Sequence, residues 1–96
     1  MKVLLLGGTG TLSRAVLEEA LLNNIKVSIL NRGLHNNHLS KEVHVIKGDF
    51  YAPSKWRDSV VKENYDVVVD FLSRTSDDIE RVYPIFKDCC KQYVFI

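Results

Sequence analysis

Val3-Leu4-Leu5-Leu6-Gly7-Gly8-Thr9-Gly10-Thr11-Leu12-Ser13 opens the chain and sets how the rest is read. Four apolar residues in unbroken succession suit a strand buried on both faces of a parallel sheet. The glycines after it have two physical uses. Gly7 permits a tight reversal, and Gly10 lets the backbone approach a bulky anion with no Cβ in the way. A helical pattern follows at once, and free amides at its start, with the positive end of the helix dipole, favour a pyrophosphate there. The third small position of this turn is Ser13, compact enough for close helix–strand packing. Tight strand–helix turns also use glycine for structural reasons alone, so the weight of the motif depends on its context.

Outward from that stretch, strands and helices alternate. Lys2 to Leu6 reads as the first strand, and Thr11 as the cap of a helix running to about Asn23. Leu12, Ala15, Val16, Ala20 and Leu21 recur at helical spacing, and Asn23-Asn24 is a stop signal. Ile25 to Leu30 is a second strand rich in β-branched residues, ended by Asn31-Arg32-Gly33. The polar stretch from Leu34 to Lys41 is a loop, and Val43 to Lys47 a third strand, stopped by Gly48-Asp49. Pro53-Ser54 opens a helix from about Lys55 to Glu63 that turns Trp56, Val60 and Val61 inward. Asp66 to Phe71 is the fourth strand. Ser76 caps a helix from Asp77 to Lys91, in which Pro84 predicts a kink or break near Arg81 to Tyr83. Gln92 to Ile96 is the fifth strand.

Such alternation predicts parallel strands with right-handed crossovers. The expected fold is α/β: a Rossmann-like, doubly wound parallel sheet of five strands in order 3-2-1-4-5, forming a single (partial) domain over residues 1–96. Its cofactor crevice lies between strands one and four.

Composition narrows the function classes. The 96 residues carry 13 basic and 12 acidic side chains, a net charge of +1, which offers nucleic acid or an anionic membrane no global field. No apolar run approaches the roughly 20 residues needed to cross a bilayer. Met1-Lys2 leads straight into a strand without a secretory leader pattern. Cys89 and Cys90 are adjacent in a helical pattern and nothing resembles a disulfide framework, so both are read as reduced core residues of a cytoplasmic protein.

The end of the second strand bears on cofactor choice. An acidic residue there chelates the adenosine ribose hydroxyls of NAD. Here the position is Asn31, followed by Arg32, with Arg14 on the first turn of the first helix. Two guanidiniums suit a 2′-phosphate, which favours NADP(H) over NAD(H), although an exposed Arg32 also reads as a solvated surface charge. Gly7, Thr9, Gly10, Thr11 and Leu12 form the expected pyrophosphate turn. Asp49 is placed to accept from the adenine amino group with Phe50 on the ring, and Gly48-Asp49 is equally a common strand-ending turn. Phe71, Leu72 and Ser73 end strand four where they would line the pyrophosphate or nicotinamide ribose. Asp70, within an apolar strand, is either a perturbed acid or a structural acid with its hydrogen bonds satisfied. His35 and His38 have metal-like spacing without further ligands and read as a solvated loop. No serine–histidine–acid or paired-carboxylate arrangement stands out.

Gly7-Gly8-Thr9-Gly10-Thr11-Leu12-Ser13, Leu30-Asn31-Arg32-Gly33, Gly48-Asp49 and Asp66-Val67-Val68-Val69-Asp70, in that order, resemble an extended or atypical short-chain dehydrogenase/reductase. The similarity is to the NAD(P)-dependent epimerase/dehydratase-like group, with its isoflavone-reductase-like and chloroplast RNA-binding relatives, and it spans essentially the whole chain. The resemblance implies an NAD(P)-binding half whose last strand corresponds to Tyr93-Val94-Phe95-Ile96. In the family, a catalytic serine and a tyrosine–x–x–x–lysine motif lie beyond that strand. Tyr83 and Lys87 share the latter spacing but precede strand five, where the family's pair never sits. The expectation is therefore a dinucleotide-binding, catalytically incomplete domain of an epimerase, dehydratase or reductase-like protein. A non-catalytic NADP(H)-sensing or protein-interaction module is the alternative, and RNA binding is opposed by the near-zero charge. The last strand, an apolar edge with only Lys91 at its start, is expected to self-associate.

Overall fold

A computed structural model describes residues 1–7, 10–33 and 40–96. Five strands, β1 (Lys2–Leu6), β2 (Lys26–Asn31), β3 (His44–Lys47), β4 (Tyr65–Asp70) and β5 (Cys90–Phe95), form one sheet in the order β3-β2-β1-β4-β5. Every pairing is parallel. Three α-helices accompany them: α1 (Thr11–Leu22), α2 (Arg57–Val61, after a 3-10 turn at Pro53–Lys55) and α3 (Ser76–Phe86). Register brings Leu6 opposite both Leu30 and Asp70, and Asp70 opposite Phe95, so the ends of the four strands lie side by side.

The sheet is apolar on both faces because a helix layer covers each. Val3, Leu5, Val27 and Ile29 pack with Leu17 and Ala20 of α1. On the other face Leu4, Leu6, Leu30 and Val68 pack with Trp56 and Val60 and with Val82 and Phe86 of α3 in one cluster, in which Trp56 stacks on Phe86 at 6.0 Å. The alternation of Val3/Leu5 against Leu4/Leu6 is the two-residue period of a strand buried on both faces.

Helix α1 ends as its asparagines suggest. Asn24 takes a left-handed φ of 57°, the Ile25 N–H bonds the Ala20 carbonyl at 3.0 Å, and the Asn23 amide bonds the Glu19 carbonyl at 2.8 Å. Its inward face is Ser13, Val16, Leu17 and Ala20 with half-buried Leu21, so Val16, Ala20 and Leu21 of the expected stripe face the sheet and Ser13 and Leu17 join them. Leu12, 57% exposed, and Ala15 face away. Gly10, not Thr11, is the N-cap, so the helix starts one residue earlier than expected.

Three other elements depart from expectation. The helix expected over 55–63 is a 3-10 turn plus five α residues, and Val61 is exposed beside the fully buried Val60. Consecutive residues on so short a helix point about 100° apart, so only one of the two valines can face the sheet. Thr75 rather than Ser76 caps α3, its hydroxyl accepting from the Asp78 N–H at 3.2 Å. Finally, α3 stops at Phe86 instead of continuing to Lys91, and β5 begins at Cys90. Sheet pairing wins there: the Tyr65 N–H bonds the Cys89 carbonyl at 2.8 Å and Tyr65 stands in register with Cys90. The helix passes Pro84 without a break near Arg81 to Tyr83. Pro84 lies in its last turn, and the carbonyl it leaves unpaired belongs to exposed Glu80. Cys89 and Cys90 are both free thiols, outside the helix, and burial pushes both thiols up in pKa.

Candidate dinucleotide site

The crevice is built where β1 and β4 end. Gly7 leaves β1 at φ +110°, a conformation that side chains rarely adopt, and its N–H bonds the Leu30 carbonyl at 2.9 Å. A Cβ at Gly7 would lie 3.4 Å from the Leu72 side chain and 3.5 Å from that of Phe71. The glycine turn and the turn after β4 are thus separated by little more than the space of one side-chain carbon. Thr9, expected between them, lies outside the described residues, as do His35 and His38.

Ser13 does more than save space. Its buried hydroxyl accepts from the Gly10 N–H at 2.9 Å and contacts the Gly10 carbonyl at 3.2 Å. The cap amide is therefore committed internally. The donors left for an anion are the backbone amides at the start of α1, Thr11, Leu12 and Ser13, which have no intrahelical acceptor.

At the end of β2 the Asn31 side chain accepts from the Gly33 N–H at 2.8 Å, and its backbone carbonyl accepts from Gly48 N–H at 2.7 Å. Asn31 shapes the turn from which Arg32 projects. Arg14 and Arg32 are both exposed, and neither forms an ion pair among the described residues. Asp49, at the end of β3, is exposed; its carboxylate accepts from the Tyr51 N–H at 2.9 Å. Its backbone carbonyl accepts from the Trp56 indole N–H at 2.7 Å. Gly48 is needed beneath that indole, since a Cβ there would come within 2.6 Å of Trp56 Cδ1.

Phe50 is not where it was expected. The ring is 5% exposed and belongs to the core with Ile46 and Trp56. Apolar burial outweighs presentation to a ligand here, because the chain turns inward at Phe50 and outward again at Tyr51. The exposed aromatic is Tyr51, 56% exposed, with the Arg81 guanidinium 4.8 Å from its ring centre.

The turn Phe71–Leu72–Ser73 is organised by Asp70, which is fully buried. One carboxylate oxygen accepts from the Leu72 N–H at 2.9 Å and the Ser73 N–H at 2.8 Å. The other accepts from the hydroxyls of Ser73 and Tyr93. This is the structural reading of Asp70: a buried acid with its lone pairs satisfied by four donors. Burial, and then the adjacent Asp70 carboxylate, push the Tyr93 hydroxyl far above the usual phenol range, so it remains a donor. Tyr93 was named in the sequence only as part of an apolar strand; its partnership with Asp70 depends on strand pairing and has no local signal.

A parallel sheet in 3-2-1-4-5 order, with a glycine turn leading into a helix beside its central strands, defines the nucleotide-binding Rossmann class. The NAD dependent epimerase/dehydratase family model matches residues 3–87, and the chain belongs to that family. Among solved structures, it is similar to an epimerase from Methanothermobacter thermautotrophicus at 17% identity and a TM-score of 0.80, over 98% of this chain and 34% of that one. The Bordetella bronchiseptica enzyme WbmG, in complex with NAD and UDP, superposes with a TM-score of 0.78 at 14% identity, over 97% of this chain and 36% of that one. A wide-type short-chain dehydrogenase/reductase from Veillonella parvula, in complex with NADP, gives 0.76 at 18% identity, over 98% of this chain and 46% of that one. The chain thus spans between a third and a half of these structures' length. No curated protein matches it. No described helix is long and apolar enough to cross a membrane, and the described residues contain no cluster of His, Cys, Asp and Glu able to hold a metal ion.

Proposed function

We propose that residues 1–96 form the dinucleotide-binding unit of an NAD(P)-dependent epimerase, dehydratase or reductase-like protein, and that the unit favours NADP(H) over NAD(H). The reading rests on one observation above the others. The end of β2 presents no carboxylate to a ribose; instead Asn31 folds back on Gly33, and Arg32 projects with no ion-pair partner among the described residues. A 2′-phosphate supplies the charge that Arg32, with Arg14, would otherwise leave to solvent. The pyrophosphate sits at the amides of Thr11 and Leu12, with Gly7, Thr9 and Gly10 giving backbone access. Asp49 receives the adenine amino group, and Leu72 and Ser73, with Phe71, line the nicotinamide side. Phe50 takes no part in ring stacking. In this reading the unit binds cofactor without itself turning over substrate, as part of a cytoplasmic protein. Calorimetric titration with both cofactors tests the reading. Removing one charge-assisted contact is worth about tenfold in affinity. Arg32→Ala is accordingly expected to weaken NADP(H) and leave NAD(H) unchanged; tighter NAD(H) binding, or NADP(H) affinity indifferent to Arg32→Ala, overturns it.

Self-association belongs to the same proposal. The strand β5 is an edge strand with Phe95 and Ile96 about half exposed, and its free backbone groups invite a second strand. Sedimentation over a concentration series should show dimers that Val94→Lys disperses; a monomer at every concentration overturns this part.

A further inference from the structure

Among the described residues, the buried Asp70 carboxylate gathers four donors behind the proposed crevice, and one of them comes from the edge of the sheet. We propose that Tyr93 is a positioning residue for the cofactor: through Asp70 it holds the Phe71–Ser73 turn against Gly7. The inference rests on the dinucleotide reading above and deepens it by naming what sets the shape of one wall.

The chain of contacts is continuous. Tyr93 of β5 stands in register with Val68 of β4, while Asp70 pairs with Phe95. Its ring is fixed from two sides by α3: it stacks on Phe86 with centroids 6.2 Å apart and meets Tyr83 edge-on at 5.4 Å. With two aromatic contacts fixing the ring, the hydroxyl is delivered to one Asp70 oxygen. The same oxygen takes the Ser73 hydroxyl, and the other takes the Leu72 and Ser73 amides. The Phe71 N–H bonds the Leu6 carbonyl at 3.1 Å, which ties the turn to the strand that leads into Gly7. The Leu72 side chain then lies 3.4 Å from the place a Cβ on Gly7 would occupy, so the turn borders the glycine closely.

A structural role alone would need only that the carboxylate be satisfied. A positioning role requires that the turn respond to Tyr93 specifically, and through Asp70. Tyr93→Phe removes the hydroxyl and keeps the ring. Asp70→Asn keeps the oxygen that accepts the two amides and alters the atom facing Tyr93. Two measurements on the 96-residue chain separate the cases. In amide hydrogen exchange, Tyr93→Phe should accelerate Leu72 and Ser73 about tenfold, the net worth of one hydrogen bond, while Leu5 and Ile29 keep their rates. In cofactor titration, Tyr93→Phe should weaken binding, and should weaken it no further in the Asp70→Asn background.

Unchanged exchange at Leu72 and Ser73, acceleration spread evenly over the sheet, or additive losses in the double variant each overturn the proposal. If the wild-type chain binds neither cofactor, the dinucleotide reading fails. The exchange rates then decide alone: selective loss at the turn keeps Tyr93 as the residue that holds it, and no selective loss removes it.

Discussion

Strand β4 carries an aspartate near each end, and the two are held in opposite ways. Asp66 lies on the rim with its side chain 34% exposed; it accepts from the Lys2 N–H at 2.7 Å and faces the Lys91 ammonium at 3.3 Å. Those partners hold its carboxyl below the usual range, the Lys2 N–H most of all. Asp70 is fully buried and has no cation partner among the described residues; four uncharged donors surround it. A rim charge keeps water as an alternative partner, so losing an ion pair there costs little. A buried charge has no such alternative, and each donor that is lost leaves a group unpaired. Change at Asp66, where β4 begins, should therefore cost less than change at Asp70, where it ends.

The largest effect should come from Asp70→Ala. It strands the Leu72 and Ser73 amides and the two hydroxyls around a cavity, at a cost of about 3 kcal/mol or more. Urea unfolding at unchanged slope reads this directly. A loss below about 1 kcal/mol would mean that water replaces the carboxylate, and the contrast with Asp66 would collapse.

Gly7→Ala should come next, and it separates strain from crowding. The added methyl would meet Leu72 only at 3.4 Å, an ordinary contact, so space is not the obstacle. The φ of +110° is the obstacle, at roughly 1–3 kcal/mol. The same unfolding measurement checks it. A neutral result would show that the turn relaxes to another conformation and that the crevice end of β1 is softer than that of β4.

Much of this architecture was legible in the chain. The apolar run Val3–Leu6 and the valines of β4 need cover on both faces, which alone points to a parallel sheet between helices. Strand order and the crevice follow from that alternation. What was not legible depends on competition between elements. Whether Cys90 extends a helix or starts a strand is decided by pairing with Tyr65, not by local pattern. The local sequence places Phe50 on the adenine ring, yet a large ring beside Trp56 and Ile46 gains more by burial. Of the proposed site, the turn glycines and the arginine after β2 can be named from spacing. The Ser13–Gly10 bond and the Tyr93–Asp70 bond cannot, the second because its partners are 23 residues apart and meet only across strands.

The smallest effect, and the one that sharpens the comparison most, concerns Asp66→Asn. A carboxyl whose pKa is lowered on folding binds its proton less readily in the folded state than in the unfolded one. Its contribution is therefore full above the unfolded value, 3.8, and is lost as the pH falls through the lower folded value. Asparagine has no such titration. The stability of wild type over Asp66→Asn should thus be present at neutral pH, begin to fade near pH 4 and vanish in stronger acid. Because Lys91 is exposed, the ion-pair part should also shrink with added salt. The bond from the Lys2 amide should persist, since it is a direct hydrogen bond to a charged acceptor at the start of β1. Chemical unfolding of both proteins over a pH series, at low and high salt, measures both parts. A difference that stays constant through acid pH would show that neither the Lys2 N–H nor Lys91 favours the ionised form of Asp66. A difference as large as that of Asp70→Ala would show that the two ends of β4 are not held differently after all.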